Sequence, residues 1–208
     1  SLLKSNDYNL VYKKAIEYYN KGDYQRAMNL LDGVRSVFVG QAKAQNIAYY
    51  RAFCSYNMKD YQIASDLFKQ FIQTYPESSF AEECLYMMGF CDYKASPKPR
   101  LDQQVTEKAI REFQLYLSRY PYSMRKDKVN TYMDEMRDKL SYKAYLSAKN
   151  YYLREHYKAA VISLQNCLKD YPGSKYREEI MYMLFVSKYQ MAVNSVEDKK
   201  VERYNNAR

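Results

Sequence analysis

Four alanines, Ala27, Ala64, Ala109 and Ala160, set the register of this chain, because a proline follows three of them at one fixed distance. Pro76, Pro121 and Pro172 each lie twelve residues further on, in the phrases "TYPESS", "RYPYSM" and "DYPGSK". Proline lacks an N–H and restricts the residue before it, so each of these phrases ends a helix. Two residues later Ser78, Ser123 and Ser174 are placed to cap the next helix. Glu82, Glu83, Glu178 and Glu179 fall in early turns, where the helix dipole favours acids. Ahead of the alanines one phrase recurs: "KGDYQRA" (21–27), "MKDYQIA" (58–64) and, more loosely, "REHYKAA" (154–160). It reads as a tight turn joining two helices, with Tyr24, Tyr61 and Tyr157 over the hinge. Twelve residues before the alanines stand Ala15, Ala52 and Ala148, with Gly89 as the counterpart in the remaining copy. Small residues at matched points let paired helices approach closely.

Helix A, short turn, helix B, proline turn: this order resembles the tetratricopeptide (TPR) pattern. It predicts an all-α, TPR-type α-solenoid of about five helix-turn-helix repeats, the last one incomplete. Only five Gly and five Pro interrupt the chain, as a helical fold requires. The alanines are 37, 45 and 51 residues apart. The second interval holds an insertion, "ASPKPRLDQQVTE" (95–107), where two prolines force a loop. The third contains no Gly or Pro after Pro121, while Val129, Met133, Met136, Leu140, Ala144, Ala148 and Tyr151 keep a three/four spacing. That spacing predicts one uninterrupted helix over 124–154, with no boundary near residue 140. The chain then divides into three N-terminal repeats (1–122) and two C-terminal repeats (123–208) with a long connecting helix. A further helix A runs to Met191, and "SVEDKKVERYNNAR" opens a helix B that the native protein is expected to continue.

Once the register is set, tyrosines recur. The fifth position of helix A is Tyr12, Tyr49, Tyr86, Tyr145 and Tyr182, and the twelfth is Tyr19, Tyr56, Tyr93, Tyr152 and Tyr189. Seven residues is two helical turns, so each pair shares a face. Between them lie Ile16, Phe53, Phe90, Lys149 and Val186, and the first two repeats add Asn9, Asn46, Asn20 and Asn57. Tyrosine presents a broad apolar face and a hydroxyl, and asparagine both donates and accepts. The expected peptide-binding groove is therefore Tyr12, Ile16, Tyr19, Asn20, Asn46, Tyr49, Phe53, Tyr56, Asn57, Tyr86, Phe90 and Tyr93. The competing reading is that these rings merely pack between successive A helices.

Other chemistries find little support. The single histidine, His156, sits in the hinge phrase, and the four cysteines have no zinc spacing. Cys84 and Cys91 are seven apart on one helix, about 10 Å, too far for a disulfide. The five glycines are isolated, so no phosphate loop forms, and no nucleophile elbow is present. No enzymatic role, cofactor or metal is expected. The formal net charge of +9 admits nucleic acid, anionic lipid or an acidic partner. Acids interrupt the cations throughout, the look of solvated helix faces, so nucleic acid is not expected. No apolar run is long enough to span a membrane, and residues 1–30 are not expected to act as a signal peptide, since they lack its charged and apolar regions.

"LLKSNDYNLVYKKAIEYYNKGDYQRAMNLLDGV", "FIQTYPESSFAEECLYMMGFCDYKASP" and "LDQQVTEKAIREFQLYLSRYP" together resemble the BamD family, TPR lipoproteins of the outer-membrane β-barrel assembly machinery. The most specific element is the inserted loop "SPKPRLDQQVTEKA". The resemblance implies a non-enzymatic scaffold on the periplasmic face of the outer membrane, tethered by a lipidated cysteine that would lie upstream of Ser1. It implies two partners: the barrel insertase (BamA-like), and unfolded outer-membrane proteins received by the N-terminal repeats (1–122), while the C-terminal repeats (123–208) hold the complex. The alternative is another periplasmic TPR adaptor, coordinating envelope division or peptidoglycan work.

Overall fold

The computed structural model describes residues 7–195 together with 199, 200, 202 and 205. Among them are nine α-helices and no strand, in the TPR-type α-solenoid class expected from the repeats. They are α1 (Tyr8–Asn20), α2 (Tyr24–Val34), α3 (Ala42–Asn57), α4 (Tyr61–Thr74), α5 (Ala81–Ala95), α6 (Gln104–Arg119), α7 (Lys126–Leu153), α8 (Tyr157–Asp170) and α9 (Arg177–Val193). The A helices are α1, α3, α5, α7 and α9. The anticipated long helix is α7, 28 residues without a break at 140. The expected C-terminal helix B falls mostly outside the described residues.

The recurring heptapeptide encodes a stop and a start. Asp23 N donates to Tyr18 O and Gly22 N to Tyr19 O, a Schellman ending for α1. Asp60 and Lys59 repeat it after α3, and His156 and Glu155 after α7. The residue at the bend has positive φ in all three copies: Gly22 at 79°, Lys59 at 67° and Glu155 at 60°. Only glycine adopts that conformation without a Cβ penalty. Lys59→Gly is therefore expected to stabilise the fold by about 1 kcal/mol, read as a higher urea midpoint. An unchanged or lower midpoint would contradict the assigned strain. Asp23 then starts α2, its Oδ1 accepting from Arg26 N at 3.2 Å.

The proline turns differ in detail from expectation. Ser78, Ser123 and Ser174 stand three residues before the helices begin rather than at the N-cap. Each Oγ accepts instead from the N–H two residues on (Phe80, Arg125, Tyr176) at 3.2 Å, closing a small turn that leads into the helix. The insertion is also shorter than expected, because α6 already begins at Gln104. Thr106 Oγ1 donates to Gln103 Oε1 at 2.7 Å and shares a 2.6 Å hydrogen bond with Ser96, so "QVTE" winds into helix.

The chain forms two compact units. One comprises residues 1–97 and 103–133, the other 98–102 and 134–208. In the first unit, consecutive helices from α1 to α6 pack in series. Its core includes Val11, Leu31, Ile47, Phe68, Phe71, Leu85 and Phe113, all with 1 % exposure or less. Ala15, Ala27, Ala52, Ala64 and Ala109 have no exposed surface, as their role at helix crossings requires. At Gly89 the approach is closest: a Cβ there would lie 2.9 Å from the Phe113 ring. A polar cluster is also buried here. Asp92 on α5 is 1 % exposed and its Oδ2 accepts from Ser65 Oγ at 3.1 Å and pairs with Lys108 Nζ at 2.8 Å. Glu112 lies 3.7 Å from the same ammonium, its Oε2 without a hydrogen-bond partner among the described residues.

In the second unit Tyr145, Ala148, Ala160, Leu164, Cys167, Ile180 and Met183 form the core. Residues 98–102 join it, with Lys143 Nζ donating to Leu101 O at 2.8 Å. All four cysteines are free and buried. Burial pushes the Cys54 and Cys84 thiols up to about 12, so neither is a ready nucleophile.

Candidate peptide-binding surface

Within the first unit the A-helix aromatics meet in a continuous chain of rings. Tyr19 sits edge-on to Tyr50 at 4.9 Å, and Tyr50 to Tyr49 at 5.5 Å. Tyr49 meets Phe53 at 4.5 Å, Phe53 meets Tyr56 at 6.4 Å, and Tyr56 reaches Phe90 on the next A helix at 6.2 Å. Phe90 stacks on Tyr86 (5.7 Å) and Tyr93 (5.9 Å), and Tyr93 stacks on Tyr132 of α7 at 4.4 Å. Such contacts hold rings rigidly while leaving faces and edges to offer.

Most of the expected groove residues are half-buried: Tyr12, Ile16, Tyr19, Asn46, Tyr49, Phe53, Tyr56, Asn57, Phe90 and Tyr93. Asn20 is exposed, whereas Tyr86 is 7 % exposed and belongs to the core. Tyr12 lies edge-on to Phe38.

The hydroxyls and amides have a different role from the one their chemistry suggested. Tyr49 donates to Glu83 Oε2 at 2.9 Å, a partner 34 residues on, at the start of the next A helix. In the second unit Tyr145 repeats this with Glu179 at 2.7 Å, again 34 residues away. Tyr116 donates to Glu82 Oε1 at 2.9 Å, and Ser123 Oγ donates to the same oxygen at 2.7 Å. Asn46 and Asn57 stand beside the Tyr12 and Tyr19 phenols, and Asn57 Nδ2 donates to Phe53 O at 2.8 Å. Burial raises the Tyr19 phenol to about 12, and burial with Glu83 raises that of Tyr49, so both stay protonated. The paired glutamates are thus staples between repeats as well as helix-start acids. Sequence reading missed that role; the signal was there, as a tyrosine and an acid one TPR period apart.

What remains for a ligand is aromatic surface bordered by cations. Lys43 Nζ lies 5.8 Å from the Tyr12 ring, Lys94 Nζ 5.2 Å from Phe90, Arg125 4.9 Å from Tyr86 and Lys128 6.0 Å from Tyr132. A separate concavity of about 270 Å3, lined by Arg35, Val39, Arg51, Phe71 and Tyr75, contains none of the ladder residues. In the second unit the ladder is uneven: Tyr145 is 4 % exposed, while Tyr182 and Tyr189 on α9 are 63 % and 44 % exposed.

Serial helical hairpins of this length, joined by repeated stop-and-start turns and carrying rings on their A helices, define a TPR-type repeat protein. The profile of the YfiO family, described as outer membrane lipoprotein, matches residues 4–203, and the chain belongs to that family. The family associates the protein with the outer membrane. No curated protein matches the chain. No helix among the described residues is long and apolar enough to cross a membrane.

Proposed function

We propose that this protein is a BamD-type scaffold: a non-enzymatic, lipid-anchored subunit on the periplasmic face of the outer membrane that binds a BamA-like barrel insertase. In this reading its first unit receives unfolded outer-membrane proteins on the aromatic row of α1, α3 and α5. The observation that carries the reading is the unbroken ring contact from Tyr19 to Tyr93, with cations beside it. Nascent barrel strands alternate apolar and polar residues, so a rigid aromatic strip suits them better than a sequence-specific pocket. The family match over nearly the whole chain supports the same setting.

The test is site-specific photocrosslinking. A photoreactive side chain at Tyr56 or Phe53 is expected to label an unfolded barrel-strand peptide several-fold above its scrambled version. The same side chain at Ile162 on α8 is expected to give background only. Equal labelling of native and scrambled peptides at both groove positions would refute client binding here.

A further inference from the structure

The three proline turns share one backbone, each serine accepting from the N–H two residues on at 3.2 Å. Around that serine the first turn carries Glu77 and Ser79, and the last carries Gly173 and Lys175. The middle turn carries Tyr122 and Met124 instead. Nothing in the turn's geometry asks for them, since its sisters close without a large apolar residue at either of those two places. They are the most exposed large apolar side chains among the described residues, at 97 % and 102 %. Nor is the turn free to tuck them away. Ser123 Oγ lies 2.7 Å from Glu82 Oε1 and 2.6 Å from the hydroxyl of Tyr116, which is itself buried. The tip is held outward.

Around it the chain is basic. Along the sequence from 119 to 128 lie Arg119, Arg125, Lys126 and Lys128 against the single acid Asp127, while from α5 Glu82 meets Ser123 and Glu83 lies 3.8 Å from Arg125, leaving Lys126 and Lys128 as the turn's outlying cations. We propose that the Tyr122–Met124 turn is a membrane-contact point, its two side chains entering the interface of an anionic phospholipid bilayer while the surrounding cations meet the headgroups. Size decides between lipid and protein. A stable protein interface buries about 800 Å2 per partner, far more than two side chains on one turn supply. A lipid interface needs no matching pocket, only an apolar tip with basic neighbours, and tyrosine favours that depth. An outer membrane lipoprotein works beside such a surface. This inference is independent of whether clients bind the aromatic row.

The chain contains no tryptophan, so Tyr122→Trp introduces a single emitter at the tip. The 208-residue chain carrying it is mixed with vesicles of phosphatidylglycerol and phosphatidylethanolamine, or of phosphatidylcholine alone. A blue-shifted emission with the anionic vesicles, weaker or absent with phosphatidylcholine, is expected. The double variant Tyr122→Ser/Met124→Ser should lose about tenfold in cosedimentation with anionic vesicles at unchanged helicity, since both side chains are solvent-facing. Emission unchanged on every vesicle, or equal cosedimentation of the double variant, overturns the proposal. So does a blue shift that requires a partner protein and not lipid.

Discussion

Asp92→Ala is expected to lower the stability of the first unit by about 2–3 kcal/mol, one of the largest effects of any single polar substitution in the chain. Asp92 is almost fully buried on α5 and ties it to α4 through Ser65 and to α6 through Lys108. Removing the carboxylate leaves the fully buried Ser65 hydroxyl without its charged acceptor and takes from Lys108 its nearest counter-ion. Lys108 is 37 % exposed and also lies 4.0 Å from Asp66, so it regains some solvation, which keeps the loss below that of a wholly buried pair. Urea unfolding read by helicity measures the change. A shift under about 0.5 kcal/mol would mean that the cluster contributes no more than a surface pair.

The second expected result concerns pH. Burial, followed by the neighbouring Asp92 carboxylate, pushes the Glu112 carboxyl up to about 8 from an ordinary 4.5, so at neutral pH it carries its proton. The folded state then holds a proton that the unfolded chain releases. Its stabilising effect is complete below the unfolded value of 4.5 and is lost as pH rises through about 8. Between those limits stability should fall by up to about 1.4 kcal/mol per pH unit. Glu112→Gln keeps a neutral side chain of the same shape and should flatten this dependence while folding normally. Parallel urea midpoints for both proteins between pH 5.5 and 8.5 would rule out Glu112 as the titrating group.

Much of the architecture was legible because its signals are local. The matched alanines mark the crossings, and all of those in the first unit are fully buried. The absence of Gly and Pro between Pro121 and Pro172 announced α7 as one helix, since the backbone hydrogen bonds of a helix join residues only four apart. Where a boundary turned on side-chain geometry the reading slipped by a few residues. Serine stabilises a turn and caps a helix with the same hydroxyl, so composition alone could not place Ser78, Ser123 and Ser174 three residues ahead of their helices. Gln103 and Thr106 form a helix start that no cap motif advertises.

The candidate surface was legible in outline and not in function. Seven-residue spacing tells which tyrosines share a helix face, since that follows from the helical period. Whether such a face meets solvent, a partner or the next hairpin depends on residues a full repeat away, and only packing answers that. Tyr86 and Tyr182 occupy the same place in the pattern, yet one is 7 % and the other 63 % exposed, because neighbouring rings enclose only the first. The order of helices and turns was thus dictated by near neighbours in the chain. Which phenols point outward, which are clamped by carboxylates 34 positions on, and which acid holds a proton were settled by tertiary contact, since burial and charge pairing belong to the assembled core.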